Sequence, residues 1–485
     1  MSAAVGDDVE DVGRRFARLA SIPLDELPAG VVHATKRIII DTVGCAAAAM
    51  DADVVARLRD VRARQGGLPE SSLTGGGRLA APAAAFVNAQ AANLLDADET
   101  LHNFTHFAAA IVMPALAVGE SVGASGADLI SAVAVGYDIA GRIATAMPDY
   151  EVTPDGELVR IPGSGFSWAA LGAASACARM LRLSEDETLH AIANAYVMTP
   201  LHGSLLGFTS AMGVRASPWH KYAVYGSVAE AGLQAALLAQ AGLESDPTLL
   251  RRGSEFWRAF GAPSFDWSAV DADLGERWLV VETAIKPYPF CRYGHTALDL
   301  LGELMAKHDL KADDIEDVEL TMVPFGPMQA LMDYRRPHSD IDVMSSLPYA
   351  LAMVANAVPA GPRWWAADLR ADPAVHAFVD RVRGRVEPAW HDLLVEQVGG
   401  GGRFRRLPTR VTVTARGARV SAFADVPSGD PSPADVYLDD AALAAKFSTF
   451  LEGVGAPGSA ARLLEAGMDL DRAVTLDGLA EVLRR

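Results

Sequence analysis

Apolar residues recur at helical spacing along most of the first half of the chain, which predicts a series of helices. One of these helices is predicted to begin at Pro28, because proline is tolerated in a first turn, and to continue through Cys45. Small residues recur at helical spacing in two further segments, residues 169–176 and 223–241. Because small side chains let helix backbones approach closely, we expect these segments to be central helices.

The pattern changes to alternation in the second half of the chain. Residues 317–323 and 410–420 alternate polar and apolar positions with a period of two, which is typical of half-buried strands. Gly417 suits the turn of a hairpin within the second segment. Helical spacing returns at residues 439–447 and continues to the end.

These patterns predict a mainly α fold with more than one domain, since 485 residues exceed what one hydrophobic core usually serves. We expect a large all-helical domain over residues 1–276 and a smaller α+β domain over residues 277–432. Helices in residues 433–485 are expected to rejoin the helical domain.

Composition and charge exclude several classes of function. The formal net charge of −19 argues against a nucleic-acid partner, which needs a basic face, but a local cluster of cations can still bind an anionic substrate. No run of about 18 apolar residues predicts a membrane span, and the first residues lack the order of a signal peptide. Sparse cysteines without metal-site spacing suit a reducing compartment, so we expect a cytoplasmic protein: Cys45, Cys177 and Cys291.

Residues 96–106 concentrate acidic and imidazole groups between two apolar segments. They include Asp96, Asp98, Glu99, His102 and His106. Burying such groups without partners costs about a few kcal/mol each, so they must reach water, each other or a ligand. The segment is therefore either a site or a solvated connector in which Asp96 caps a helix and Asp98 and Glu99 face water.

Two cations and a histidine lie just before the small-residue segment at 223–241. Lys221 is a candidate to pair with a substrate carboxylate, or to act as a general base if burial lowers its pKa. His220 is its neighbour. The alternative is a solvated lysine at a helix start, but that position is electrostatically poor for a cation, which favours a function.

A third candidate segment, residues 286–295, lies near the predicted domain boundary, where ligand pockets are common. Two prolines restrain its backbone around Lys286, Cys291, Arg292 and His295. The alternatives are that Cys291 is a small buried apolar residue and that Arg292 forms a structural ion pair.

Taken in order, these segments resemble the MmgE/PrpD family, which includes methylcitrate dehydratases, cis-aconitate decarboxylases and an iminodisuccinate epimerase. The resemblance rests on six elements: Asp41-Thr42-Val43-Gly44, residues 88–106, residues 136–143, Lys221 with residues 226–229, residues 286–292 and Ser346-Leu347-Pro348-Tyr349. It implies a large helical domain, a smaller α+β lid, a cleft between them and a homodimer. It also implies that the protein works without an organic cofactor and, as in most members of the family, without metal.

The chemistry implied by the resemblance removes a proton from carbon next to a carboxylate, and then eliminates water, returns the proton or loses CO2. Carried over residue by residue, the site would comprise Asp96, Thr100, His106, Lys221, Lys286 and Cys291. Cations would spread the charge of the developing enediolate while a base removes the proton. The sequence departs from the family's pattern at several positions: Ala89, Glu99, Phe107, Ala108, Ser167, Val224, Val228 and Cys291.

We therefore predict a cofactor-independent lyase of the dehydratase type that acts on a small carboxylate-bearing molecule. The predicted catalytic residues are His106, Lys221, Asp96 and Cys291, and the predicted substrate-binding residues are Thr100, His102, Lys286, Arg292, Ser167 and His220. An epimerase that uses the same proton abstraction is the nearest alternative. A decarboxylase fits less well, because histidines of the decarboxylases are replaced, and a catalytically silent binding protein is the alternative from another class.

Overall fold

The mainly α fold with a smaller α+β part is confirmed by the computed structural model, which describes residues 11–102, 105–161, 166–200, 223–399 and 404–484. The first part of the chain is helical apart from short two-stranded pairs. Its helices are α1 Val12–Leu19, α2 Ala29–Ala48, α3 Asp53–Ala63, α4 Ala81–Leu94, α5 Ala108–Val122, α6 Gly126–Ala146, α7 Ala169–Met180, α8 Glu185–Met198, α9 Ala223–Gln240 and α10 Trp267–Asp271. The short strands are β1 Ser71–Ser72, β2 Arg78–Leu79, β3 Thr100–Leu101, β4 Tyr150–Val152, β5 Leu158–Arg160 and β6 Thr283–Ala284.

A four-stranded sheet forms the α+β part, in the strand order β10-β9-β7-β8. Its strands are β7 Ile315–Met322, β8 Val382–Val386, β9 Thr409–Ala415 and β10 Ala418–Ala424. Strand β7 pairs antiparallel with β9 and parallel with β8. The helices of this part are α11 His295–Lys307, α12 Gly326–Asp333, α13 Leu347–Ala355, α14 Ala367–Arg370, α15 Pro373–Val379 and α16 His391–Gly399.

The predicted hairpin is confirmed, with its turn at Arg416 and Gly417 between β9 and β10. Both residues have positive φ angles, 52° and 73°, which is the backbone of a two-residue turn that matches the twist of the strands.

The predicted close packing of the small-residue helices is also confirmed. A Cβ atom added to Gly172 of α7 would lie 2.3 Å from the carbonyl oxygen of Gly136 in α6. A Cβ atom added to Gly232 of α9 would lie 2.4 Å from Cβ of Ala173 in α7. Helix α7 therefore packs closely against both α6 and α9, and no larger residue fits at Gly172 or Gly232 without displacing its neighbours.

Replacing Gly172 with alanine is expected to lower the free energy of unfolding by about 1–3 kcal/mol, because overpacked side chains force backbones apart. Urea denaturation measures the loss. Gly302→Ala is the matched control, since its added Cβ would lie 3.7 Å from the nearest atom, a side-chain carbon of Val354. That control should keep or raise the stability, as alanine favours a helix.

Three helices end the chain and lie near its N-terminal part: α17 Asp440–Phe450, α18 Ser459–Met468 and α19 Asp477–Leu483. Lys36 of α2 donates to the carbonyl oxygen of Met468 at 2.7 Å, and Gly44 of α2 faces the ring of Phe447. The C-terminal helices thus pack against the second helix of the chain. The division at residues 276 and 432 stays a prediction.

Among the described residues, one helix is long and apolar enough to span a membrane by length and composition, Gly126–Ala146. Its most apolar window has a mean hydropathy of 1.3, and 94% of that window is buried inside the protein. The packing of α6 against α7 accounts for this apolar character.

Candidate active site

The acidic segment lies in a buried turn that follows helix α4. Leu95 ends the helix, and Asp96 adopts a left-handed backbone with a φ of 52°. Asp96, Asp98 and Glu99 are all fully buried. The alternative of a solvated connector is therefore wrong, and Asp96 follows a helix rather than capping the start of one.

Asp96 is paired with Lys286. The ammonium of Lys286 lies 3.0 Å from Oδ1 of Asp96 and 3.0 Å from its carbonyl oxygen, and both side chains are buried. Burial alone would lower the pKa of Lys286, but the charges of Asp96 and Asp98 outweigh it and raise this pKa above its ordinary value. Lys286 is therefore a fixed cation at neutral pH.

Strand pairing explains how residues so distant in sequence meet. Thr100 of β3 lies opposite Ala284 of β6, and Leu101 lies opposite Thr283. Lys286 follows β6 directly along the chain, so this short antiparallel pair brings it back to the turn at Asp96.

His106 lies between two carboxylates. Its Nε2 is 3.5 Å from Oδ1 of Asp96, and its Nδ1 is 3.3 Å from Oδ2 of Asp98. The Asn93 amide lies 2.8 Å from the same Asp98 oxygen and 2.9 Å from Nδ1. A protonated Nδ1 can donate to Asp98, whereas a neutral Nδ1 can accept from Asn93, so both protonation states have a partner at this atom.

The charge of His106 acts on Asp98 in return. Burial alone would raise the pKa of Asp98, but the His106 imidazole, the Lys286 ammonium and the Asn93 amide together lower it below its ordinary value. Asp98 is therefore a carboxylate at neutral pH, and it favours the protonated form of His106.

Aromatic rings surround His106. Phe166 lies 5.6 Å and Tyr225 5.7 Å from it, measured between ring centroids, and the Tyr225 hydroxyl donates to the carbonyl oxygen of His106 at 2.9 Å. Phe107 lies in the core instead, with its ring stacked 4.4 Å from that of Tyr137. The bulk that Phe107 adds relative to the family is thus taken up by the core.

Glu99 lies at the start of helix α5, where its Oε1 accepts from the amides of Phe107 and Ala108, each at 2.8 Å. Burial and the charge of Asp98 raise the pKa of Glu99 to about 8, although the two amides act in the opposite direction. Glu99 is therefore largely protonated at neutral pH, and its carboxyl group adds little negative charge to the site.

This raised pKa makes the stability depend on pH. Because folded Glu99 holds its proton more tightly than unfolded Glu99, its contribution is complete below the ordinary pKa of a glutamate and is lost as the pH rises toward 8. We expect the free energy of unfolding to fall by up to about 5 kcal/mol over this window. Denaturation at pH 5 and pH 8 measures the loss. Glu99→Gln should flatten the dependence, and an unchanged slope in that variant would contradict the assignment.

Other predicted substrate-binding residues are engaged by neighbours. His102 Nε2 lies 2.8 Å from Glu282 and 3.0 Å from the guanidinium of Arg405. Arg292 is buried and donates to the carbonyl oxygen of Ser428 at 2.6 Å. Ser167 donates to the carbonyl oxygen of Pro200 at 2.5 Å. Their roles in binding substrate stay predictions.

The remaining predicted residues differ in their placement. Thr100 is buried in β3, next to the turn. Cys291 is half-buried, whereas Cys45 and Cys177 are buried. Lys221 and His220 lie outside the described residues.

Asp96, Asp98 and His106 could also hold a metal ion, because one ligand atom from each lies within 4.8 Å of the others. The ammonium of Lys286 already lies 3.0 Å from Asp96, where it supplies a positive charge to this group. The expectation of no metal stays a prediction.

Sequence reasoning missed Asn93 and Tyr225 as neighbours of His106. Asn93 offered a signal, since it is a polar residue in the last turn of a mostly small and apolar helix, in which Asn88 and Gln90 are the other polar positions. Tyr225 offered none, because an aromatic residue in an apolar helix is usually part of a core.

Comparison with known proteins finds two family matches. Residues 15–268 match the MmgE/PrpD N-terminal domain, and residues 288–472 match the MmgE/PrpD C-terminal domain. The chain is similar to the cis-aconitate decarboxylase of Mus musculus, with 26% identity over 293 residues, which are 58% of this chain and 56% of that protein. It is also similar to the cis-aconitate decarboxylase of Homo sapiens, with 27% identity over 234 residues, 45% of this chain and 44% of that protein. The chain thus spans about half the length of the curated relatives it matches.

Proposed function

Because the chain belongs to the MmgE/PrpD family, we propose that it is a cofactor-independent lyase of the dehydratase type, acting on a small organic acid. The observation that carries the proposal is the position of His106, which lies between the carboxylates of Asp96 and Asp98. The Lys286 ammonium lies next to the first of these carboxylates. The group combines a proton-transfer residue with a fixed cation.

The positive charge of Lys286 would lower the main energy barrier of the proposed reaction, which is the removal of a proton from carbon. A proton on carbon next to a carboxylate is weakly acidic, and its removal places negative charge on an enediolate. Lys286 keeps its charge at neutral pH, and it can stabilise that developing charge in a buried site, where electrostatic interactions are strong.

His106 is suited to the second half of the reaction. A carboxylate lies near each ring nitrogen and can stabilise the positive charge of a protonated imidazole, so protonated His106 can donate a proton to a departing hydroxyl and release it as water. The predicted base is Lys221, which would take the proton from carbon. Lys221 as the base and His106 as the acid would then complete the elimination of water.

Decarboxylation is the second candidate, because both similar proteins are named cis-aconitate decarboxylase. In this reaction a carboxylate leaves as CO2, the electrons of the broken carbon–carbon bond pass to the neighbouring carbon, and His106 protonates that carbon. Epimerisation would need a second proton donor on the opposite face, for which the half-buried thiol of Cys291 is the candidate.

The experiment incubates the protein in heavy water with a panel of di- and tricarboxylates that includes cis-aconitate, and follows each acid by NMR. Loss of water supports the dehydratase, loss of CO2 the decarboxylase, and deuterium uptake without net elimination the epimerase. Lys221→Ala should abolish turnover in a folded protein, and full activity in that variant would contradict its role. Acids that raise the melting temperature yet stay chemically unchanged would overturn the proposal in favour of a binding protein.

A further inference from the structure

Lys446 of helix α17 is buried beside the turn that carries Asp96 and Asp98. Its ammonium donates to the carbonyl oxygen of Ala97 at 2.8 Å, and it also pairs with Asp41. Lys286 donates to the preceding carbonyl oxygen, that of Asp96, at 3.0 Å. Two buried ammonium groups from distant parts of the chain therefore hold successive carbonyl groups of one turn.

The motif Asp41-Thr42-Val43-Gly44 forms the other side of this contact. Asp41 accepts from Lys446, and Gly44 leaves room for Phe447, since an added Cβ would lie 2.2 Å from that ring. The ammonium of Lys446 is also 5.1 Å from the ring centroid of Phe447 and 5.3 Å from that of Phe450. Helix α17 thus packs against α2 in a position from which Lys446 reaches the carbonyl oxygen of Ala97.

Lys446 interacts with the site electrostatically as well as through its hydrogen bond to Ala97. Burial alone would lower the pKa of Lys446, but the charges of Asp41 and Asp98 and the hydrogen bond to Asp41 raise it above its ordinary value. Lys446 is therefore an ammonium at neutral pH, and because the interaction is mutual, it favours the ionised form of Asp98.

We propose that Lys446 is a positioning residue: it holds the turn at residues 96–98 so that Asp96 and Asp98 keep Lys286 and His106 in their reactive arrangement. The inference rests on the proposed function, since it assigns Lys446 to the reaction of that site. On this proposal, the motif Asp41-Thr42-Val43-Gly44 and helix α17 act together, because both position Lys446 against the turn at residues 96–98.

Kinetics of Lys446→Met test the proposal against a matched control. Lys36→Met removes a lysine that also links α2 to the C-terminal helices, through Met468 and Asp471, but does not contact the turn. We expect Lys446→Met to lower kcat about 100-fold with little change in KM, because small displacements of reacting groups cost rate. Lys36→Met should keep kcat per folded molecule.

The pH profile separates positioning from mere folding. Removing the positive charge in Lys446→Met raises the pKa of neighbouring acids, so the acid limb of kcat/KM should move to higher pH. Asp41→Asn removes a negative charge and should move the limb to lower pH. If Lys446→Met does not fold, the charge-balanced variant Asp41→Asn/Lys446→Met replaces it, and its kcat should stay low.

Hydrogen exchange gives a readout that needs no turnover. Amides of residues 96–101 should exchange faster in Lys446→Met than in Lys36→Met at equal global stability. Equal exchange, or an activity loss in proportion to the unfolded fraction with an unchanged pH profile, would overturn the inference. A wild-type protein that transforms no carboxylate would instead overturn the proposed function, whatever the exchange shows.

Discussion

Replacing Lys286 with methionine is expected to lower kcat about 1,000-fold, because the cation that stabilises the enediolate is lost from a buried site. The same change should lower the free energy of unfolding by about 3–5 kcal/mol, since Asp96 stays buried without its ion-pair partner. Steady-state kinetics and urea denaturation measure the two effects.

Two variants serve as controls for this result. Lys307→Met changes an exposed lysine at the end of helix α11, and it should leave both quantities unaltered. The double variant Asp96→Asn/Lys286→Met removes both charges and should regain much of the stability but none of the activity. Recovery of activity in the double variant would show that Lys286 serves the fold alone.

Replacing His106 with asparagine is expected to lower kcat about 100- to 10,000-fold, the range typical for loss of a positioned acid or base. The variant keeps a polar side chain near Asn93 and Asp98, but an asparagine at position 106 can neither donate nor accept a proton as an acid or base. His190→Asn is the matched control, because His190 contacts the backbone of Ser245, away from the site.

The stability of the His106 variant should also depend on pH. The lowered pKa of Asp98 contributes stability above the ordinary pKa of an aspartate, and this contribution is lost as the pH falls through the folded value. The difference in unfolding free energy between wild type and His106→Asn should therefore shrink as the pH falls from 5 to 3. A difference that stays constant would show that the Asp98 interaction adds nothing.

Local patterns predicted the elements that carry local signals. The helix through Cys45 and the hairpin at Gly417 follow from spacing and from a turn residue, and the structure confirms both. The small residues at 169–176 predicted a central helix, and the contact between Gly172 and Gly136 confirms it. In each case the deciding interactions lie within a few residues or on one helix face.

The partners of the site residues could not be read in this way, because they depend on pairings across the whole chain. Lys446 appears in the sequence as one cation in an amphipathic helix, yet it lies on the buried side with Leu443, Phe447 and Phe450. Nothing local distinguishes it from a solvated lysine. Arg292 is a second case, since its guanidinium holds the backbone at Ser428, a contact across 136 positions that its sequence neighbourhood did not indicate.

The ion pair between Asp41 and Lys446 spans 405 positions of the chain, so it also sets an order of events during synthesis. On the ribosome, Asp41 emerges long before Lys446 does. A charge without its partner is costly to bury, so this part of the interior stays hydrated or protonated until helix α17 has been made. The arrangement around the turn at residues 96–98 is therefore completed late, only after the last helices of the chain have been made.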